Sequence, residues 1–143
     1  MTKFSVRKNA GGKLEIFDRI RKKYVICTDE EKVRQMTIVY LTETLKVPAS
    51  FIAVETEIKV NNLSKRTDII VCNSNLKPAI IVECKAPTVN ITQEVFEQIA
   101  RYNLALQVKY LMLTNGLEHF FCALDYEKQT YQFIPELPDW TAL

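Results

Sequence analysis

The chain has few of the features that mark membrane, secreted, metal-ribbon or repeat proteins. No apolar run approaches the roughly 20 residues of a membrane-spanning helix, and Met1 to Asn9 is short and polar rather than a secretory leader. Its cysteines, Cys27, Cys72, Cys84 and Cys122, form no C-x-x-C pair, and none lies near the lone histidine, His119, which argues against zinc and redox-motif chemistry. All four cysteines lie in apolar, strand-like runs and read as free buried thiols, which places the protein in a reducing cytoplasm. The formal net charge is only +2, so no global basic balance announces nucleic acid, and any affinity for phosphate must come from local clusters. Glycine is scarce, 3 residues in all, and no internal repeat, low-complexity tract or linker divides the chain. What remains is 143 residues, 48% hydrophobic and 25% charged, the profile of a single globular domain spanning 1–143.

Punctuation along the chain predicts its elements. Gly11-Gly12 reads as a turn between two short extended pieces, Lys3 to Lys8 and Lys13 to Phe17, and Tyr24 to Cys27 as another short strand. Thr28 or Asp29 caps a helix that opens with Glu30, Glu31 and Lys32. Val33, Thr37, Tyr40, Leu41, Thr44 and Leu45 recur in it at helical spacing, and Pro48 stops it. Three strands follow, Phe51 to Val60, Arg66 to Cys72 and Ala79 to Lys85, with Asn61-Asn62 as the first turn. Thr92 caps a second helix running to about Gln107, then Lys109 to Thr114 and Leu117 to Leu124 form a hairpin around Asn115-Gly116. Tyr131 to Ile134 adds an edge strand, and the tail from Pro135 is irregular. Helix, three strands, helix, two strands imply an α/β (α+β) fold with a central mixed β-sheet flanked by helices.

Two of the strands turn polar where apolar residues are expected. Asp68 precedes Ile69-Ile70-Val71, while Glu83 and Lys85 follow Ile80-Ile81-Val82. Strand side chains alternate, so Glu83 and Lys85 share a face and Cys84 takes the other. If the strands pair as a hairpin, Asp68 neighbours Glu83 and Lys85. Adjacent carboxylates repel, and burying them is costly unless a cation resolves the conflict. Magnesium suits such a pair, since it prefers oxygen and completes its shell with water and substrate phosphate. A lysine alongside can orient or deprotonate a water and stabilise charge on phosphate. The bland alternative is a cross-strand ion pair on a solvated face.

The pattern Arg66-Thr67-Asp68, an apolar strand pair, then Val82-Glu83-Cys84-Lys85-Ala86-Pro87 resembles the PD-(D/E)XK nuclease superfamily. It is more closely similar to the N-terminal nuclease domain of type I restriction enzyme R subunits. Further segments carry that likeness: Glu30 to Gln35, Gln98-Ile99-Ala100-Arg101-Tyr102-Asn103, and Leu113-Thr114-Asn115-Gly116. The likeness covers roughly residues 14–125 and implies a restriction-endonuclease-like core. The resemblance implies that Asp68 and Glu83 bind Mg2+, for which Mn2+ can substitute, with the Cys84 backbone carbonyl as a further ligand. It implies that Lys85 positions the attacking water. An acidic residue of the first helix completes such sites, and helical phase leaves both Glu30 and Glu31 open. Gln98 and Tyr102 match a Q-x-x-x-Y motif, four apart on one helical face, and imply contact with the substrate backbone or bracing of the site; a core aromatic is the alternative for Tyr102. Thr67 stands where the superfamily has its proline, a position at which members vary.

The expected activity is therefore Mg-dependent hydrolysis of DNA phosphodiester bonds by an endonuclease-like domain of restriction-modification type. R subunits carry a helicase motor after this domain, and a 143-residue chain has no room for one, so DNA translocation or specificity would come from a partner protein. A homodimer is the alternative, since two strands need two cuts. The rival readings are a non-catalytic nucleic-acid-binding module and an accessory subunit of a restriction or repair assembly. Arg7-Lys8, Arg19 to Lys23 and Lys65-Arg66 are short basic clusters; Arg21-Lys22-Lys23, just upstream of the first helix, either meets DNA phosphates or lies in a solvated loop. His119 suits a surface or packing role, and Trp140 an anchor or an interface.

Overall fold

A computed structural model of the protein describes residues 4–143. Strands β1 (Val6–Lys8), β2 (Leu14–Asp18) and β3 (Lys23–Ile26) pair in order as a small antiparallel sheet. Gly12 makes the first turn at φ +80°, a backbone angle that disfavours any side chain. The expected first strand begins at Lys3, which lies outside the described residues.

Helix α1 (Asp29–Val39) starts at Thr28, whose hydroxyl accepts the Glu31 amide at 3.0 Å. The apolar spacing predicts one regular helix to Leu45, but the α-helix ends at Val39 and widens into a π-helical turn over Tyr40–Thr44. The Thr42 hydroxyl donates to the carbonyls of Ile38 (3.0 Å) and Val39 (3.2 Å), and the Leu45 amide reaches back five residues to Tyr40. Leu41 and Leu45 stay buried through the turn, so the apolar pattern looks the same in either geometry.

The main sheet has six strands hydrogen-bonded in chain order: β4 (Ile52–Val60), β5 (Leu63–Cys72), β6 (Pro78–Cys84), β7 (Tyr110–Thr114), β8 (His119–Asp125) and β9 (Thr130–Ile134). Neighbours are antiparallel except β6 and β7. These run parallel because α2 (Gln93–Leu104) carries the chain back along the sheet between them. Asn61, at φ +55°, makes the tight β4–β5 turn.

The two faces of the sheet bury separate clusters. Ile69, Val71, Ile80 and Val82 pack with Val33, Ile38 and Leu41 of the first helical segment, while Ile70, Ile81, Leu111 and Leu113 pack with Phe96, Ala100 and Leu104 of α2. Strands covered on both sides read as unbroken apolar runs, which is why Ile-Ile-Val appears in both β5 and β6. Each of those side chains contributes about 1.5–3 kcal/mol by leaving water. The tail is irregular, as expected, but anchored. Leu137 is buried, the Trp140 ring packs tilted against Phe51 with centroids 4.9 Å apart, and its indole N–H donates to the Cys72 carbonyl at 2.9 Å. Among the described residues no helix is long and apolar enough to cross a membrane.

Candidate active site

Where the apolar runs of β5 and β6 stop, carboxylates begin. The pairs Val54↔Ile69 and Thr56↔Thr67 bracket Glu55 and Asp68, and the pairing of Ile69 with Val82 puts Asp68 and Glu83 at the next step. Glu55, Asp68 and Glu83 thus stand at one level across three neighbouring strands.

Asp68 is held at both oxygens. Its Oδ2 accepts the Cys84 amide at 2.7 Å and its Oδ1 accepts Arg34 Nη2 at 3.1 Å. Glu83 is buried, and its carboxylate pairs with the Lys65 ammonium. Burial pushes the Glu83 carboxyl above its ordinary range; Lys65 opposes that shift, the Asp68 charge adds to it, and Lys85 opposes it. Lys85 lies just past the end of β6, where its amide donates to the Thr114 carbonyl at 2.8 Å. Its ammonium has no hydrogen-bond or ion-pair partner among the described residues, although its field reaches Glu83. Cys84 points the other way, into the cluster beneath the first helical segment, as strand alternation requires.

The first helix turns a charged face toward this row. Glu31 is buried and accepts from Arg34 Nη1 (2.7 Å), Arg21 Nη2 (2.9 Å) and Gln35 Nε2 (3.1 Å). Glu30 points outward, with Arg34 at 3.8 Å. Arg34 ties the helix to the sheet, since its two Nη atoms meet Glu31, Asp68 and, at 3.5 Å, Glu55. Burial alone would lower the Arg34 pKa, but Glu31, Asp68 and Glu55 outweigh it and raise the value above normal. Asp18, fully buried, docks the small sheet to the same helix by accepting from Arg21 Nε (2.6 Å) and Gln35 Nε2 (3.0 Å). Burial would push the Asp18 carboxyl up, yet the hydrogen bonds from Arg21 hold it below the usual range.

The sequence profile of the family described as type I restriction enzyme R protein N terminus matches residues 29–138. The chain belongs to that family. No curated protein matches it in sequence. Among solved structures it is similar to a proposed nuclease belonging to DUF820 from Anabaena variabilis, at 12% identity and a TM-score of 0.51, covering 95% of this chain and 87% of that one. At that identity the likeness speaks for the fold alone, a mixed sheet with helices on it.

In this member of the R protein N-terminal family, the fold brings Asp68, Glu83, Lys85 and Glu31 into one neighbourhood and leaves Glu30 at its rim. Tyr102 reaches it indirectly: its ring lies 5.0 Å from the Lys65 ammonium and its hydroxyl donates to the Ser64 carbonyl at 3.2 Å. Gln98 is exposed on α2 and makes no side-chain hydrogen bond among the described residues. Thr67 is buried and donates to the Thr56 carbonyl at 3.0 Å. His119 is exposed and shares a hydrogen bond with the Thr114 hydroxyl at 2.7 Å, in keeping with a surface or packing role. Three residues of the neighbourhood carry no sequence signal that singles them out. Lys65 reads as part of a solvated basic pair, Arg34 as one charge within a helix, and Glu55 as a polar position in a strand.

Proposed function

We propose that this chain is a metal-dependent nuclease that hydrolyses DNA phosphodiester bonds with magnesium, or manganese in its place. The observation that carries the proposal is the adjacency of Asp68, in the middle of β5, and Glu83, at the end of β6, with the uncommitted Lys85 ammonium beside them. Among the described residues no three His, Cys, Asp or Glu side chains converge as a metal-holding group. A carboxylate pair is nevertheless what magnesium uses when waters and substrate phosphate fill the rest of its shell. Asp68 and Glu83 would hold the ion, with the Cys84 backbone carbonyl, between Glu83 and Lys85 in the chain, as a third oxygen. Bound there, magnesium supplies Lewis-acid polarisation of a phosphoryl oxygen and makes nearby water more acidic. Lys85 orients the attacking water and steadies the charge that gathers on the phosphate. Glu31 acts through Arg34, holding that guanidinium against Asp68. Tyr102 acts through Lys65, and Gln98, one turn earlier on α2, meets the DNA backbone.

A single site cuts a single strand, so duplex cleavage takes a second copy of the chain or a partner that supplies specificity or translocation. The free thiols suit a reducing compartment, and we place the activity in the cytoplasm. A binding module is the second reading. It is favoured by one observation: Arg34 and Lys65 already neutralise Asp68 and Glu83.

The experiment incubates the protein with plasmid and single-stranded DNA in magnesium or manganese, beside Asp68→Ala and Lys85→Ala. Loss of one lysine or one ligand is expected to lower cutting by a factor of roughly 10²–10⁴. Equal cutting by all three proteins points to contamination and sinks the proposal. No cutting on any DNA, with no heat of magnesium binding, favours the binding module.

A further inference from the structure

Seven described non-glycine residues have positive φ. Six of them, Lys22, Lys46, Asn61, Leu76, Gln107 and Gln129, lie in turns, bends or just past an element's end. Glu55, at φ +51°, alone stands inside a strand. The Glu55–Asp68 step is also the one missing from a β4–β5 register that otherwise runs unbroken from Ile52↔Val71 to Val60↔Leu63. A left-handed glutamate in mid-strand is strained, and strain of this kind persists where the surroundings impose it, commonly at functional sites.

The turned backbone gives the Glu55 carboxylate three arginines. Arg21 Nη1 and Arg66 Nη2 each lie at 3.2 Å, and Arg34 Nη2 at 3.5 Å. Arg21 and Arg34 are held by other carboxylates as well. Arg66 differs: 71% of its side chain is exposed, and Glu55 is its one acidic partner among the described residues. An exposed pair of this sort stabilises a fold very little, so the Arg66 contact adds little to the stability that Arg21 and Arg34 already give Glu55. What the contact does achieve is to fix one guanidinium, with most of its five N–H donors still unused, one residue position from Thr67 and two from Asp68. A planar guanidinium held in place is suited to bidentate capture of phosphate.

We propose that Glu55 is a positioning residue that fixes the exposed Arg66 guanidinium two residues along β5 from Asp68, where Arg66 takes a backbone phosphate of bound DNA. The proposal rests on the nuclease reading and extends it to how the substrate is held.

Fluorescence anisotropy with a short labelled DNA duplex in EDTA tests it, because binding is then read without cleavage. Arg66→Gln removes one phosphate contact, so its affinity falls and the slope of log affinity against log salt becomes shallower by about 0.9. Glu55→Gln separates positioning from bulk electrostatics by sign. Removing a negative charge near phosphates tightens binding if Glu55 merely sits there. If Glu55 positions Arg66, binding weakens to near the Arg66→Gln level, and the double variant loses nothing further. Lys77→Gln, at the far end of β6, controls for loss of one surface charge and leaves the slope unchanged. Melting curves check that each variant is folded. Arg66 is exposed enough for its variant to fold regardless, and an unchanged salt slope in Arg66→Gln overturns the proposal by itself. Binding by Glu55→Gln as tight as wild type or tighter also overturns it, as does a wild type without saturable binding in EDTA. Cutting in magnesium by wild type but not by Asp68→Ala keeps the nuclease reading in force whichever way Glu55→Gln falls.

Discussion

Lys65→Met takes away the ammonium that faces Glu83 but keeps an apolar stem against the Tyr102 ring. Removing one partner of a fully buried ion pair costs about 3–5 kcal/mol, because the other charge is stranded. Here 19% of the Lys65 side chain and 10% of the Glu83 side chain are exposed, so water recovers part of that loss and the expected cost is about 2 kcal/mol. For a chain of this length, at about 3 °C per kcal/mol, the melting temperature falls by about 6 °C. Glu83→Gln acts the other way. Burial raises the Glu83 pKa despite Lys65, so the folded protein holds that proton more tightly than the unfolded chain does. The stability this confers is fully present below the ordinary glutamate pKa of about 4.3 and is lost as pH rises through the raised folded value. Near pH 7, Glu83→Gln is therefore at least as stable as wild type, and it lacks that part of the decline between acid and neutral pH. The double variant recovers most of the Lys65→Met loss. Differential scanning calorimetry from pH 4 to 8 on the four proteins reads all of this. Lys65→Met melting with wild type, or Glu83→Gln falling as far as Lys65→Met, refutes the reasoning.

Two further outcomes are expected. Burial pushes the Cys122 thiol up to about 12 and the Cys84 thiol also well above its ordinary range. A thiol reagent at pH 8 should label only the half-buried Cys27 and Cys72 in the native protein and all four cysteines in guanidinium; fast native labelling of Cys84 or Cys122 contradicts the packing. Trp140→Ala removes the Phe51 contact and the hydrogen bond to Cys72, at an expected cost of about 2 kcal/mol for a half-buried indole. Urea unfolding followed by circular dichroism measures it, and a midpoint unchanged from wild type shows that the tail does not anchor.

The residues that were legible in advance share a short range. Thr28 and Thr92 cap helices through bonds that reach only three residues along the chain. The Ile-Ile-Val runs announce strands covered on both faces, and hairpin adjacency alone makes neighbours of Asp68, Glu83 and Lys85. The π-helical turn at Tyr40–Thr44 stayed hidden because Leu41 and Leu45 are buried in either helix geometry. Helical phase left both Glu30 and Glu31 open. Packing of the first helix on the sheet buries Glu31 against Arg21 and Arg34 and turns Glu30 outward.

The local sequence, then, determined the elements, their order and the carboxylate–lysine set, because capping, alternation and tight turns act over a few residues. Only the tertiary structure decided which charges meet that set. Arg34 and Asp68 lie 34 residues apart, Lys65 and Glu83 18 apart, and Arg21 and Glu55 34 apart. No periodicity spans such separations. These pairs exist because two apolar faces, buried for their own reasons, bring a helix and three neighbouring strands to one place.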